Sequence, residues 1–252
     1  MKEKIDLNTE ALYLRKYFGV DTYSPIDVFS LIADSDNITV LFYPMSHRIS
    51  GICIRNDKNK LIGINSNLTY GRQRFTVAHE LYHLFFHEDL TKVVCSKEMD
   101  KVKDPLEQEA DIFASYFLAS YESLYDYFKN KIKKNMGSLE LEDIVKIEQY
   151  YGFSRQAMLW RLVNDKYITK EKADTMKSNI IISATMLGYD KKLYKPSPED
   201  KKYFTIGKYV KIADTLQKKG LISDGKYDEL LLDAYRGDIV YGLNCEEEEI
   251  YD

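Results

Sequence analysis

The chain has 252 residues, with 36 Lys and Arg against 40 Asp and Glu, 4 His, 3 Cys and a formal net charge of −4 at pH 7. A slightly acidic chain has no overall attraction for phosphate, which argues against a protein that coats nucleic acid, and three scattered cysteines (Cys53, Cys95, Cys245) cannot build a disulfide framework. Residues 1–6 carry charges of both signs with no apolar h-region, and the longest apolar runs, such as 180–187, are far shorter than the roughly 20 residues a bilayer span needs, so a soluble cytoplasmic protein with no membrane segment is expected.

Taken in chain order, the first 35 residues read as two short helices, the second signalled by Ser24-Pro25, a cap followed by proline at the first helical position. From Ile38 the period changes to that of strands: 38–43, 49–55 and 61–65 are short β-branched-rich runs, and the polar 56–60 between the last two fits a hairpin loop. A long helix is expected over 71–87, then a polar surface connection over 88–104, then a second helical stretch from Pro105 through Phe128. The basic, Gly-terminated 129–137 marks a boundary. Beyond it, 139–151, the turn Gly152-Phe153-Ser154 and 155–163 read as helix, tight turn, helix; further helices are expected over 169–187, after Pro198 and around 228–235, and the acidic 246–249 as a solvated tail. The division is therefore 1–135, 136–175 with helix-turn-helix character, and a helical 176–252 ending in the acidic tail.

Three of the four histidines fall in Thr76-Val-Ala-His79-Glu80-Leu-Tyr-His83-Leu-Phe-Phe-His87. The HExxH within it places His79 and His83 one helical turn apart on one face, able to reach a single metal, with Glu80 beside them. Thr76, His79, Glu80, His83 and His87 share one side of the helix; Val77, Ala78, Leu81, Leu84 and Phe85 lie opposite. Isolated histidines are usually structural, but ionisable groups in so apolar a helix are costly unless paired or metal-bound.

Catalytic zinc takes three protein ligands and keeps a position for water. His87 lies about 12 Å along a straight helix from His79, too far to share an ion with it. A third ligand is available in Glu107-Gln-Glu-Ala-Asp111-Ile-Phe-Ala114, where Glu107 and Asp111 share a face, and Ala110 and Ala114 permit close helix packing. Glu107 would ligate and Asp111 would accept from the distal N–H of a ligand histidine. Glu109, about 160° around the same helix from Glu107, is the rival ligand. Zinc so held would acidify water, with Glu80 taking and returning its proton during peptide hydrolysis. For the transition state, Tyr82 and His47 are candidate stabilisers. Arg72 and Arg74 read as anchors of the helix start or as salt-bridge partners rather than as substrate contacts. An exposed edge strand beside such a helix could receive an extended substrate.

These motifs resemble the ImmA/IrrE family of zinc metallopeptidases: Ile64-Asn65 after a strand, Arg74-Phe75-Thr-Val-Ala-His79-Glu80-Leu-Tyr-His83, and Glu107-Gln-Glu-Ala110-Asp111-Ile-Phe113-Ala114. The chain departs from the family pattern at Tyr82, where glycine is common, and at Ala119-Ser120 in place of Met-Pro. The resemblance implies an α+β fold: a zincin-like core with a small sheet on helices and the HExxH helix at its centre, followed by a mainly helical region. It also implies cleavage of a regulatory protein partner, often a helix-turn-helix repressor encoded nearby on a mobile element. The alternative is a regulatory binding module with a structural or vestigial zinc site; the intact Glu80 favours the peptidase, since a structural site has no use for that carboxylate. Within 139–166 acids and bases nearly balance, which counts against DNA contact by the helix-turn-helix segment, and Met158 and Trp160 read as core.

Overall fold

The computed structural model describes residues 1–56, 59–87, 92–96, 104–134 and 137–242, with 92–96 described as backbone. The three β-branched-rich runs form β1 (Ile38–Tyr43), β2 (Ile49–Arg55) and β3 (Lys60–Asn65). β2 and β3 pair antiparallel with Gly51 opposite Ile64, while β1 lies parallel to β3. Asn65, at the end of β3, fixes this crossover. Its amide donates to Ser46 O (2.9 Å) and Ile49 O (2.7 Å) and its oxygen accepts from Met45 N (3.1 Å), fastening the β1–β2 connection to the strand end.

Two further strands complete a five-stranded sheet of order β4-β2-β3-β1-β5. β4 (Lys92–Ser96) pairs antiparallel with β2, and β5 (Phe204–Gly207) antiparallel with β1. Both correct the sequence reading, which gave 88–104 as a connection and the C-terminal region as helices. Strands of four or five residues carry too few alternations to register as a period.

The helices begin with α1 (Lys4–Tyr17) and α2 (Val28–Asp34). α2 starts at Asp27 rather than at Ser24-Pro25. The Asp21 carboxylate accepts from the backbone N–H of Tyr23 (2.6 Å) and Ser24 (2.7 Å), which closes a turn there, and the Asp27 side chain then accepts from Phe29 N. α3 (Tyr70–Phe86) and α4 (Pro105–Leu118) follow. The stretch expected to be helical through Phe128 is interrupted because Ser120 Oγ accepts from Ser123 N and starts α5 (Tyr121–Tyr127) afresh. α6 (Leu141–Tyr151) and α7 (Arg155–Asn164) flank Gly152, whose φ of 72° suits the tight turn, and Ser154 caps α7. Asn179, at φ 52°, splits the expected 169–187 helix into α8 (Lys170–Thr175) and α9 (Ile180–Met186). α10 (Lys208–Lys218) and α11 (Asp224–Asp233) follow β5. The acidic 246–249 lies outside the described residues, and no helix among those described is long and apolar enough to cross a membrane.

This is an α+β fold. One continuous apolar core runs from Leu7 and Leu14 of α1, through Val40, Ile62 and Ile64 of the sheet and Val77 and Leu81 of α3, to Phe113 and Phe117 of α4 and Met158 and Leu162 of α7. The first two segments proposed from sequence thus share a core, and the third supplies β5 to the sheet.

The arginines of α7 face inward. Arg155 forks onto Glu148 (Nε to Oε2 2.6 Å, Nη2 to Oε1 2.8 Å), also donating to Met176 O and Ser183 Oγ. Arg161 pairs with Asp165 (2.6 Å), donates to Ser115 Oγ and Ala119 O, and stacks over Tyr116. Both arginines are buried, so neither is presented to a DNA backbone. Met158 is core as expected, but Trp160 is 38% exposed, because its neighbours Met158, Leu159 and Leu162 occupy the inward face.

Removing one partner of a buried ion pair leaves the other charge uncompensated. Glu148→Ala is expected to destabilise the chain by about 3–5 kcal/mol, read as a shift of the denaturant midpoint. The double variant Glu148→Leu, Arg155→Met should lose markedly less, since it strands no charge.

Candidate metal centre

α3 is the element on which the site is built, and nearly all of it is buried. Its start is clamped from three sides. Arg74 donates to Gly152 O (3.2 Å) and to Ile26 O, and an added Cβ at Gly152 would fall 2.5 Å from Arg74 Nε. The buried Gln73 amide donates to Leu68 O (2.6 Å) and Ser197 Oγ (3.1 Å), and Tyr70 N donates to Lys195 O. Arg74 is therefore an anchor as the sequence suggests, whereas the Arg72 Nε has no hydrogen-bond partner among the described residues.

α4 crosses α3 with Ala110 and Ala114 fully buried at the interface. That close approach brings Glu107 to both histidines: Oε2 lies 3.3 Å from His79 Nε2 and Oε1 lies 3.3 Å from His83 Nε2, while the two Nε2 atoms are 3.2 Å apart. One turn further along α4, Asp111 Oδ1 lies 3.0 Å from His79 Nδ1. With the proton on Nδ1, His79 donates to Asp111 and turns its Nε2 lone pair toward Glu107 and His83.

His79, His83 and Glu107 each offer one ligand atom, all within 4.8 Å of one another. A tetrahedral ion with bonds of about 2.0–2.1 Å needs donor atoms roughly 3.3–3.4 Å apart; the two Nε2 atoms, 3.2 Å apart, come close to that spacing, and each lies 3.3 Å from one oxygen of the Glu107 carboxylate. Two imidazoles and one carboxylate form a set that zinc accepts in catalytic sites. The residues fit the ion.

The electrostatics point the same way. Burial disfavours a charged His79, but the hydrogen bonds to Asp111 and Glu107 and the nearby carboxylates outweigh it, so its pKa is pushed up to about 10. Glu107 is likewise opposed by burial, yet the two histidines hold it well below the usual carboxylate range. The carboxylates therefore create a field that favours positive charge at the imidazoles, and a divalent cation answers it as well as a proton does.

Glu80 is fully buried beside this triangle. β2 crosses α3 at Gly51, where an added Cβ would sit 2.7 Å from Glu80 Oε1 and 2.6 Å from Thr76 Cγ2. Glycine at this position is what leaves room for the carboxylate, a requirement the strand pattern gave no sign of.

The other expected residues fall elsewhere. Glu109, the rival ligand, faces away: Oε2 accepts from Tyr82 Oη (3.0 Å) and Oε1 from Lys2 N (2.6 Å). Tyr82 is wholly buried among Phe86, Phe113 and His87, and burial together with Glu109 pushes its phenol up. Its hydroxyl is committed to Glu109. His47 is exposed in the turn before β2. His87, set aside as a ligand, has a different place: its Nδ1 lies 2.9 Å from His83 Nδ1. Burial, and then the neighbouring His83, lower its pKa, and its Nδ1 partners His83 much as Asp111 partners His79. The i, i+4 spacing of 83 and 87 was the available signal.

The IrrE N-terminal-like domain, a peptidase family, matches residues 33–163, just over half of the chain, and the chain belongs to that family. It is also similar to the metallopeptidase ImmA of Bacillus subtilis (strain 168), 46% identical over 67 residues, which cover 25% of this chain and 37% of that protein. An uncharacterized immunity region protein 2 of Bacillus phage phi105 is 32% identical over 101 residues, 40% of this chain and 60% of that one. The chain thus matches less than two thirds of the length of either relative.

Two outcomes are expected. Glu107→Ala should abolish stoichiometric metal binding by elemental analysis, whereas Glu109→Ala should keep the metal and lose about 1–3 kcal/mol of stability through the stranded Tyr82 hydroxyl. Metal must displace the proton that His79 holds up to about pH 10, so apparent affinity in a chelator competition should rise with pH from about 6.5 toward 10, by at most about tenfold per unit for one proton. The sign reverses for the metal-free protein. A raised histidine pKa contributes stability that is present below about pH 6.5 and fades as pH climbs through the folded value.

Proposed function

We propose that this chain is a zinc-dependent endopeptidase that cleaves a protein partner. The observation that carries the reading is the His79–His83–Glu107 triangle with Glu80 buried beside it. In this reading His79, His83 and Glu107 hold the zinc and Asp111 orients His79. When bound, the ion lowers the pKa of a coordinated water and polarises a substrate carbonyl.

The chain's own residues supply the rest. Glu80 takes the water proton at its carboxylate and returns it to the leaving amine. Asp111 and His87 keep the two imidazoles from rotating, so their Nε2 atoms stay aimed inward. β4 lies at the edge of the sheet next to β2, the strand that crosses α3, and an extended substrate can add to it by main-chain hydrogen bonds.

For the substrate we propose a helix-turn-helix repressor or a related regulator of a mobile element. Likeness to a phage immunity region protein supports that class. A cytoplasmic location accords with it, and direct nucleic-acid binding does not form part of the reading, since both arginines of α7 are committed internally.

Co-expression with the repressor encoded beside the gene tests the proposal. Wild type is expected to deplete the repressor and Glu80→Gln to spare it, with a loss of about 100-fold or more in cleavage rate read by mass spectrometry of the purified pair. Equal depletion by both proteins would sink the role of Glu80, and an intact repressor with both would sink this substrate class.

A further inference from the structure

A cleft of about 630 Å³ opens at the beginning of α3, where the first turn of that helix meets the starts of α7 and α9. One wall is apolar, formed by Leu68 and by Ile180, Ile181 and Ile182, of which Ile181 and Ile182 are 40% and 59% exposed. The rest is polar. Among the described residues no carboxylate lines the cleft, and three cations do: Arg72, Arg155 and Lys177.

Two of those charges are already matched. Arg155 is held by Glu148 and Lys177 by Asp174 (2.5 Å). Arg72 differs. Its Nε is buried without a hydrogen-bond partner, and among the described residues no ion pair engages its guanidinium. Its nearest aromatic neighbour is Phe75, whose ring lies 5.7 Å away. The charge of Asp111 reaches it, but that carboxylate is bound to His79. An arginine whose Nε is buried and left unmatched is costly, and the cost is recovered when an anion arrives.

Arg72 also lies in line with the metal centre. Residues 72, 76, 79 and 83 share one face of α3, and Thr76 Oγ1 donates to Arg72 O between them. Seven residues of helix separate Arg72 from His79, about 10 Å, which an extended peptide spans in about three residues.

We propose that this cleft is a specificity subsite that takes an acidic side chain of the protein substrate, held by Arg72, about three residues from the bond that is cut, with an adjoining apolar side chain on the Ile180–Ile182 wall. The position relative to the cut bond rests on the peptidase reading; the binding of an acidic peptide does not. Arg72 acts here as a substrate-binding residue, apart from the zinc ligands and Glu80.

The test is a binding measurement on the full, zinc-loaded chain carrying Glu80→Gln, so that the probe is not consumed. The probes are fluorescent heptapeptides with glutamate, glutamine or lysine between two leucines, followed by polarisation. The glutamate peptide is expected to bind on the order of tenfold more tightly than the glutamine peptide, the worth of one charge-assisted hydrogen bond. Arg72→Gln should erase that difference, Arg72→Lys should keep most of it, and Arg72→Glu should turn the preference toward lysine. Equal binding of the three probes, or a glutamate preference that survives Arg72→Gln, overturns the proposal. Should Arg72→Gln not fold, Ile181→Asp on the exposed wall decides: loss of the preference supports the subsite and its retention overturns it. Cleavage of the same peptides by the chain with Glu80 intact separates the two readings. Preference without cleavage removes the peptidase and leaves the subsite; cleavage without preference removes the subsite alone.

Discussion

His79, Glu80 and His83 are buried on a helix whose other face is sealed in apolar contacts. A buried polar group without a partner costs roughly 2–7 kcal/mol, and a buried charge more, so α3 is not a sustainable helix by itself. Its partner is α4. Glu107 and Asp111 arrive from α4 at 3.0–3.3 Å, close enough to convert that cost into charge-assisted hydrogen bonds. The approach depends on Ala110 and Ala114, since larger side chains there would hold the helix axes apart. Two alanines on α4 therefore decide whether the centre exists at all.

The same reasoning explains what surrounds the pair. The sheet must pass over α3 without displacing Glu80, and Gly51 in β2 makes that possible. The start of α3 must not drift, because a rotation of the helix would swing both imidazoles away from Glu107. Arg74 and Gln73 hold it from the α6–α7 turn, from the end of β3 and from residues 195–197. The helix-turn-helix-like pair is in this light a buttress: its turn receives Arg74, and its own arginines close ion pairs inside the protein.

Much of this was legible in the sequence, and the limits have physical causes. HExxH and Glu-x-x-x-Asp announce themselves because helical spacing converts directly into a shared face. β1, β2 and β3 show because their apolar runs are long enough to carry a period. β4 and β5 do not, being too short, and the breaks at Ser120 and Asn179 depend on one side-chain cap and one left-handed residue within otherwise helical runs. The anchoring role read for Arg72 and Arg74 held for one of them. Their spacing gives no means of separating them, because Arg74 finds carbonyls at Ile26 and Gly152, far along the chain on either side, whereas the buried Arg72 Nε finds no partner among the described residues. Long-range partners of this kind, like the Gly51–Glu80 contact, become visible only when the tertiary structure brings the residues together.

The family match ends at residue 163, while the apolar wall of the cleft beside α3 is formed by Ile180–Ile182. The matched part thus contains every residue of the metal centre, and the part beyond it contributes a surface that the centre does not require. The two can then change independently: His79, His83, Glu107 and Glu80 need a fixed geometry, whereas a wall of three isoleucines can be altered without moving α3. Arg72 stands where these two parts meet. It is carried by α3 and lines the cleft, so a group held there would be positioned relative to His79 by the rigidity of a single helix rather than by the setting of a loop.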